Sequence, residues 1–222
     1  MPRTVRLRGL GPTDRGNDLL TRFLEDLNVV GRHDPAAKNR FETLLCHSPL
    51  HAILLYRVAH ALHTKLGLSL PARLISMLAR FLTGVEIHPA AKVGRRFFID
   101  HGTGVVIGET AEIGDDCVLF HNVTLGGTGH HRGKRHPTLG DDVLIGTSAT
   151  LLGPITVGSH TKVGANSFIR MHDVPPNCTA VGAPAAIVKR DGRRVDEPLL
   201  PTRLSSRSIP VTAKEDPGGD DA

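Results

Sequence analysis

Two short stretches hold most of the residues that could do chemistry in this chain. The first is Asp100-His101-Gly102-Thr103-Gly104. The second runs from Gly126-Gly127-Thr128-Gly129 through His130-His131-Arg132-Gly133-Lys134 to Arg135-His136-Pro137. Histidine titrates near neutral pH, so His101 is the candidate general base. Such a base works with a carboxylate that fixes its tautomer and stabilises the imidazolium. Glu86 and Asp100 are the candidates. In an extended strand Asp100 points to the side opposite its neighbour His101, which makes Glu86 the expected partner. The alternative is that His101 only hydrogen-bonds a corner of the chain. Arg135 carries a planar fork that matches a carboxylate, so Arg135 and His136 could hold a small carboxylate substrate. A solvated basic loop has the same composition. The glycines at 126, 127 and 129 let a ligand approach backbone N–H groups closely. Asp34, before Pro35, reads first as a helix N-cap and second as a holder of a substrate ammonium. His101, His121 and His136 could meet as a three-histidine zinc site, but no HxH or HxxxH spacing supports it and no metal is expected.

Both stretches interrupt a regular pattern. Aliphatic residues recur every six positions: Ile87, Val93, Ile99 and Val105, then Ile107, Ile113, Leu119 and Leu125. A third set runs Leu139, Ile145, Leu151, Val157, Val163 and Ile169, with Val181 and Ile187 in the same phase. Glycine often follows, as in Val93-Gly94, Ile107-Gly108 and Val163-Gly164. A period of six fits neither an α-helix nor simple strand alternation; it fits short strands and corners coiled into a parallel β-helix, with aliphatic residues inside and glycine at the corners. Ile107 comes eight positions after Ile99, and Leu139 fourteen positions after Leu125. Departures from a structural repeat mark functional features, and both departures carry histidine.

Upstream, residues 17–83 read as helical. Leu19, Leu20, Phe23, Leu24 and Leu27 lie at helical spacing. Ser48-Pro49 reads as an N-cap and first helical residue, and a last helix runs from about Ser69 to before Gly84. The expected organisation is a helical domain over 1–84, a repeat domain over 85–190 and a tail over 191–222. The tail lacks periodicity and is expected to be disordered past about Pro201.

Composition agrees with this frame. The 222 residues include no Trp, one Tyr, seven Phe and 24 Gly, which suits a narrow aliphatic interior and excludes aromatic-stacking binding modules. Three scattered cysteines form no disulfide framework, and no apolar run follows the basic N-terminus as in a signal peptide. A cytoplasmic location and no membrane partner are expected. The formal charge of +5 is dispersed, which suits an anionic ligand better than nucleic acid.

The segments GVEIHP, DHGTG, GET, VTLGGTG and RHP, in this order, closely resemble the bacterial serine O-acetyltransferases of the hexapeptide-repeat acyltransferase superfamily. The resemblance runs from about Asp34-Pro35-Ala36 to Ala183-Pro184. It implies helices followed by a left-handed parallel β-helix. It implies acetyl transfer from acetyl-CoA to the hydroxyl of L-serine, the first step from serine to cysteine. Under it His101 is the general base and Glu86, where the family most often has Asp, is its carboxylate. Asp34 and Asp100 bind the serine amino group, and Arg135 and His136 hold its carboxylate. Gly127, Thr128, Thr147, Lys162 and Ala165 contact acetyl-CoA between neighbouring subunits of a trimer, with Lys162, Lys189 or Arg190 at the CoA phosphates. A homotrimer or dimer of trimers is implied, as is inhibition by cysteine. Many members end in an Ile that docks into O-acetylserine sulfhydrylase. This chain ends Gly-Gly-Asp-Asp-Ala222, without that Ile, so the resemblance leaves a complex with O-acetylserine sulfhydrylase open. Other readings are an O-acetyltransferase for another hydroxyl such as a sugar's, a γ-type carbonic anhydrase with three-histidine zinc, and a non-catalytic scaffold.

Overall fold

The computed structural model describes residues 19–33, 39–129 and 132–202. Four helices come first: α1 (Leu19–His33), α2 (Arg40–Cys46), α3 (Ser48–Leu66) and α4 (Ser69–Thr83). The start of α3 differs by one residue from the expected cap. His47 caps it, its Nδ1 accepting the Leu50 N–H at 3.1 Å, and Ser48 is already helical. Gly67 and Gly84 end α3 and α4 with left-handed φ angles of 67° and 72°, which glycine adopts without strain. Asp34 and its expected cap lie outside the described residues.

The chain then coils into a prism. Its first turns are β1 (Glu86–Ile87), β2 (Lys92–Val93), β3 (Phe98–Asp100), β4 (Val106–Ile107), β5 (Glu112–Ile113) and β6 (Val118–Phe120). Next come β7 (Thr124–Gly126), β8 (Thr138–Leu139), β9 (Leu144–Ile145), β10 (Thr150–Leu152), β11 (Thr156–Val157), β12 (Lys162–Val163) and β13 (Phe168–Arg170). Every third strand stacks in parallel, giving three faces: β1-β4-β7-β10-β13, β2-β5-β8-β11, and β3-β6-β9-β12 continued by β15 (Cys178–Gly182). The repeat residues form one continuous interior: Ile99, Ile107, Leu119, Leu125, Ile145, Leu151, Val157 and Val163 are all fully buried.

The register records the two interruptions. Ile107 opposes Leu125, eighteen positions on, as Leu151 opposes Ile169. Ile87 opposes Ile107, twenty on, so the first break adds two residues to its coil. Leu125 opposes Leu151, twenty-six on, so the second break adds eight.

Three expectations are corrected. The repeat glycines do not supply the left-handed corners. Arg96, Asp116, Asp142 and His160 do, with φ between 53° and 59°. The glycines are needed because successive coils touch: a Cβ on Gly94 would lie 2.4 Å from the Gly114 carbonyl oxygen. The six-residue phase also slips by one near the end. Ala180, not Val181, opposes Val163 and is buried, while Ile187 keeps its inward position. Finally, residues 191–201 are not an unstructured tail. β16 (Ala185–Arg190) and β17 (Arg193–Pro198) extend the third face as an antiparallel hairpin, and β18 (Leu200–Pro201) pairs with β14 (His172–Asp173). Antiparallel pairing needs no six-residue period, so the period could not reveal it. Residues 203–222 lie outside the described set.

Helix α3 closes the open end of the prism. Ala52, Ile53 and Tyr56 join the interior core, and the Tyr56 hydroxyl donates to the Ala91 carbonyl at 2.6 Å. Arg57 ties the layers together. It donates to Asp26 of α1 at 3.1 and 3.3 Å, and to the carbonyls of Val93 and Gly94 at 2.7 Å each. Both side chains are buried. No described helix is long and apolar enough to cross a membrane.

Removing one member of a buried ion pair leaves the other charge unpaired. Asp26→Ala is therefore expected to cost roughly 3–5 kcal/mol of unfolding free energy. Urea denaturation against the unmodified chain measures it, and a loss within about 1 kcal/mol would refute the clamp.

Candidate active site

The two-residue insertion between β3 and β4 forms a locked turn. Gly102 and Gly104 have φ of 78° and 80°, and a Cβ on Gly104 would lie 1.9 Å from Asn122 Oδ1. A Cβ on Gly102 would meet Pro49 Cγ at 2.9 Å, so the turn is seated against the start of α3. His101 itself takes a left-handed φ of 61°, and its side chain is 75% exposed. This conformation corrects the expected direction of Asp100. The extended-strand rule fails at a left-handed residue, and Asp100 Oδ1 lies 3.8 Å from His101 Nε2, on the same side. That is an ion pair when the imidazole is charged, at a distance too long for a hydrogen bond. The Glu86 carboxylate, expected on His101, accepts from Arg80 Nη1 of α4 at 2.7 Å. The His121 ring stands edge-on to His101, with centroids 5.7 Å apart. Among the described residues no three or more His, Cys, Asp or Glu side chains are grouped to hold a metal ion.

The second interruption folds back on the coil before it. Arg135 Nη2 donates to Glu109 Oε2, and this bond holds the Glu109 carboxyl below its ordinary range. The backbone N–H groups of Arg135 and His136 both donate to Thr110 Oγ1, at 2.9 and 3.1 Å. His136 Nδ1 accepts the Thr110 N–H at 3.2 Å and lies 2.9 Å from the same hydroxyl. Lys134 Nζ donates to the Thr110 carbonyl at 2.7 Å. The His136 ring is nearly buried, and burial followed by the Arg135 charge pushes its pKa down. Gly108 makes room for it, since a Cβ there would lie 2.0 Å from His136 Cδ2. Gly127 does the same beside His136 Nε2 and the Arg135 stem. Glu109 and Thr110 were not singled out by spacing or charge; their only sequence signal was the GET segment of the resemblance.

The remaining residues expected at a cofactor fall on adjacent coils. Thr128 Oγ1 approaches Met171 Sδ at 3.5 Å. The Thr147 carbonyl accepts the Asn166 N–H at 2.8 Å, and Ala165 packs against Gly146 on the neighbouring coil. Lys162, Thr179, Lys189 and Arg194 oppose one another across β12, β15, β16 and β17, which puts three cations in one row. Arg190 stands apart from that row, paired with Glu197. His130 and His131 lie outside the described residues.

Residues 136–170 match the family described as bacterial transferase hexapeptide (six repeats), whose repeats wind as the left-handed form of the prism. The serine acetyltransferase of Bacillus subtilis is 55% identical over 187 residues, covering 82% of this chain and 85% of that protein. The soybean serine acetyltransferase complexed with serine superimposes with a TM-score of 0.72 at 43% identity, over 77% of this chain and 69% of that one. The serine acetyltransferase from Brucella abortus in complex with coenzyme A gives a TM-score of 0.72 at 39% identity, over 76% and 66%.

His88 follows β1, its Nδ1 accepting the Ala90 N–H at 3.0 Å. Burial first, and the Arg73 charge second, lower its pKa from 6.5 to about 4. The unfolded chain therefore binds this proton at a higher pH than the folded chain. The stabilisation is complete above pH 6.5 and is lost as pH falls through about 4. Urea midpoints should fall across that window, and His88→Asn should flatten the fall. An unchanged slope in the variant would exclude His88 as its source.

Proposed function

This chain belongs to the serine acetyltransferase family, and on that premise we propose how its residues share the reaction. It is an acyltransferase that acetylates the serine hydroxyl. Acetyl-CoA is the donor. His101 takes the proton from the serine hydroxyl as that oxygen attacks the thioester carbonyl. The C–S bond breaks, and the CoA sulfur leaves with the proton returned by the imidazolium. The products are O-acetylserine and CoA, and the product leads from serine toward cysteine.

Glu86 orients His101 in the working enzyme and exchanges Arg80 for the imidazole to do so. Asp100 and Asp34 hold the serine ammonium, and Arg135 and His136 hold its carboxylate. Gly127, Thr128, Thr147 and Ala165 line the acetyl-CoA path through backbone contacts. Lys162, Lys189 and Arg194 meet its phosphates as one row, while Arg190 is occupied by Glu197. The observation that carries this reading is the turn at 100–104. It holds an exposed imidazole beside a carboxylate at a fixed left-handed residue, at a departure from the repeat.

The working unit is a homotrimer, alone or paired into a dimer of trimers. Support comes from the outer face of α4, where Leu70, Leu74, Met77, Leu78, Phe81 and Leu82 lie exposed at helical spacing. A neighbouring copy covers such a face.

Thiol release from acetyl-CoA, with serine, homoserine, a sugar and water as acceptors, tests the reading directly. His101→Ala is expected to lower turnover by roughly 10²- to 10⁴-fold. Unchanged turnover would remove His101 from the mechanism. Arg135→Ala is expected to raise the KM for serine far more than that for acetyl-CoA, and equal changes would argue against carboxylate binding there.

A further inference from the structure

Thr110 makes an unusual set of contacts for one hydroxyl. Its Oγ1 accepts the N–H groups of Arg135 and His136 and also lies 2.9 Å from His136 Nδ1. A hydroxyl has two acceptor lone pairs and one proton to donate. The two N–H groups use both lone pairs, so the Thr110 proton goes to Nδ1. The Thr110 backbone N–H points at the same nitrogen, at 3.2 Å, and an N–H can only donate. Two donors converge on Nδ1, so Nδ1 carries no proton, and the neutral ring is protonated at Nε2. His136 Nε2 has no hydrogen-bond partner among the described residues, and it lies beside Gly108 and Gly127, where no Cβ covers the ring.

We propose that Thr110 is a positioning residue that holds His136 as the Nε2–H tautomer, and thereby sets how tightly the site grips the substrate carboxylate. The proposal rests on the reading that Arg135 and His136 hold that carboxylate. The hydroxyl acts on both at once. It fixes the backbone of Arg135 and His136, and it leaves the His136 proton on Nε2, beside Gly108 and Gly127, as a donor. The lowered pKa of His136 agrees, because the ring serves as a neutral donor and needs no added proton. Thr110 touches no reacting atom. Its effect belongs in serine binding, and a merely structural role would not separate the two substrates.

Steady-state kinetics on Thr110→Val and Thr110→Ser, beside Arg135→Ala and His136→Ala, provide the test. Thr110→Val keeps the shape and removes the hydroxyl. The serine KM should rise roughly 5- to 30-fold, the effect of stranding a buried polar group, with the acetyl-CoA KM changed by less than about twofold. Thr110→Ser should restore the serine KM. In a His136→Ala background the cost of Thr110→Val should shrink, because the ring it acts through is gone. A serine KM unmoved by Thr110→Val while Arg135→Ala and His136→Ala raise it would overturn the proposal alone. Serine KM values unmoved by Arg135→Ala and His136→Ala would overturn the carboxylate reading and this proposal with it. Nitrogen-15 NMR of the unmodified protein needs no variant to fold for its main result. His136, assigned by loss of its signals in His136→Ala or by through-bond connection, should show an unprotonated Nδ1 and a protonated Nε2. The opposite tautomer would overturn the proposal.

Discussion

Successive coils of the prism touch so closely that most of the surface chemistry is decided by what fits between them. Parallel strands in hydrogen-bond register hold neighbouring coils near 4.8 Å apart. At that spacing a Cβ has no room against the next coil where glycine follows an inward aliphatic residue, as at Gly94, Gly114, Gly146 and Gly158. The interior is built mostly of slim aliphatic side chains, with Phe97 and Tyr56 as its aromatic members. Hydrophobic burial is thus spread evenly along the axis, one layer per strand, rather than gathered in one centre. A chain under this constraint has few places to put a polar group except outside the prism or at a break in the period.

The two breaks use the constraint in different ways. At 100–104 the added residues form a tight turn, and two left-handed glycines and the start of α3 fix it. The backbone of His101 is therefore fixed by sterics, while its exposed imidazole lies 3.8 Å from the Asp100 carboxylate. At 126–138 the added residues form a loop that returns to the previous coil and is tied there by Thr110 and Glu109. Here the position of Arg135 and His136 depends on side-chain hydrogen bonds, and glycine at 108 and 127 leaves the space for the ring. The first device is rigid because of sterics, the second because one hydroxyl is fully used.

The helices contribute orientation. Arg57 bridges α3, α1 and the first coil through four hydrogen bonds, and α3 supplies the proline that backs the His101 turn. Arg80, at the end of α4, holds Glu86 at the start of β1. Glu86 and the turn that carries His101 therefore each touch a helix that the repeat itself does not contain. A shift of the helical layer would reach the site through these two contacts.

Much of this was legible in the residues. A period of six needs no partner to be recognised, and it predicted the prism, its interior and the positions of both interruptions. The short distance along the chain between His101 and Asp100, and between Arg135 and His136, made those pairs visible as well. The direction of Asp100 was misread, because alternation holds only for extended residues and His101 is left-handed. The role of the repeat glycines was misread for a related reason: a sequence reports that a Cβ is missing, and only the neighbouring coil shows what it would have struck. Thr110 was missed because its partners lie 25 and 26 positions away, across an insertion that no period predicts. By itself the sequence determined which residues face the interior and where the coil is interrupted, since both follow from local spacing. Only the tertiary structure decided which way the polar groups point and what holds them, because those depend on contacts between coils and helices that are distant along the chain.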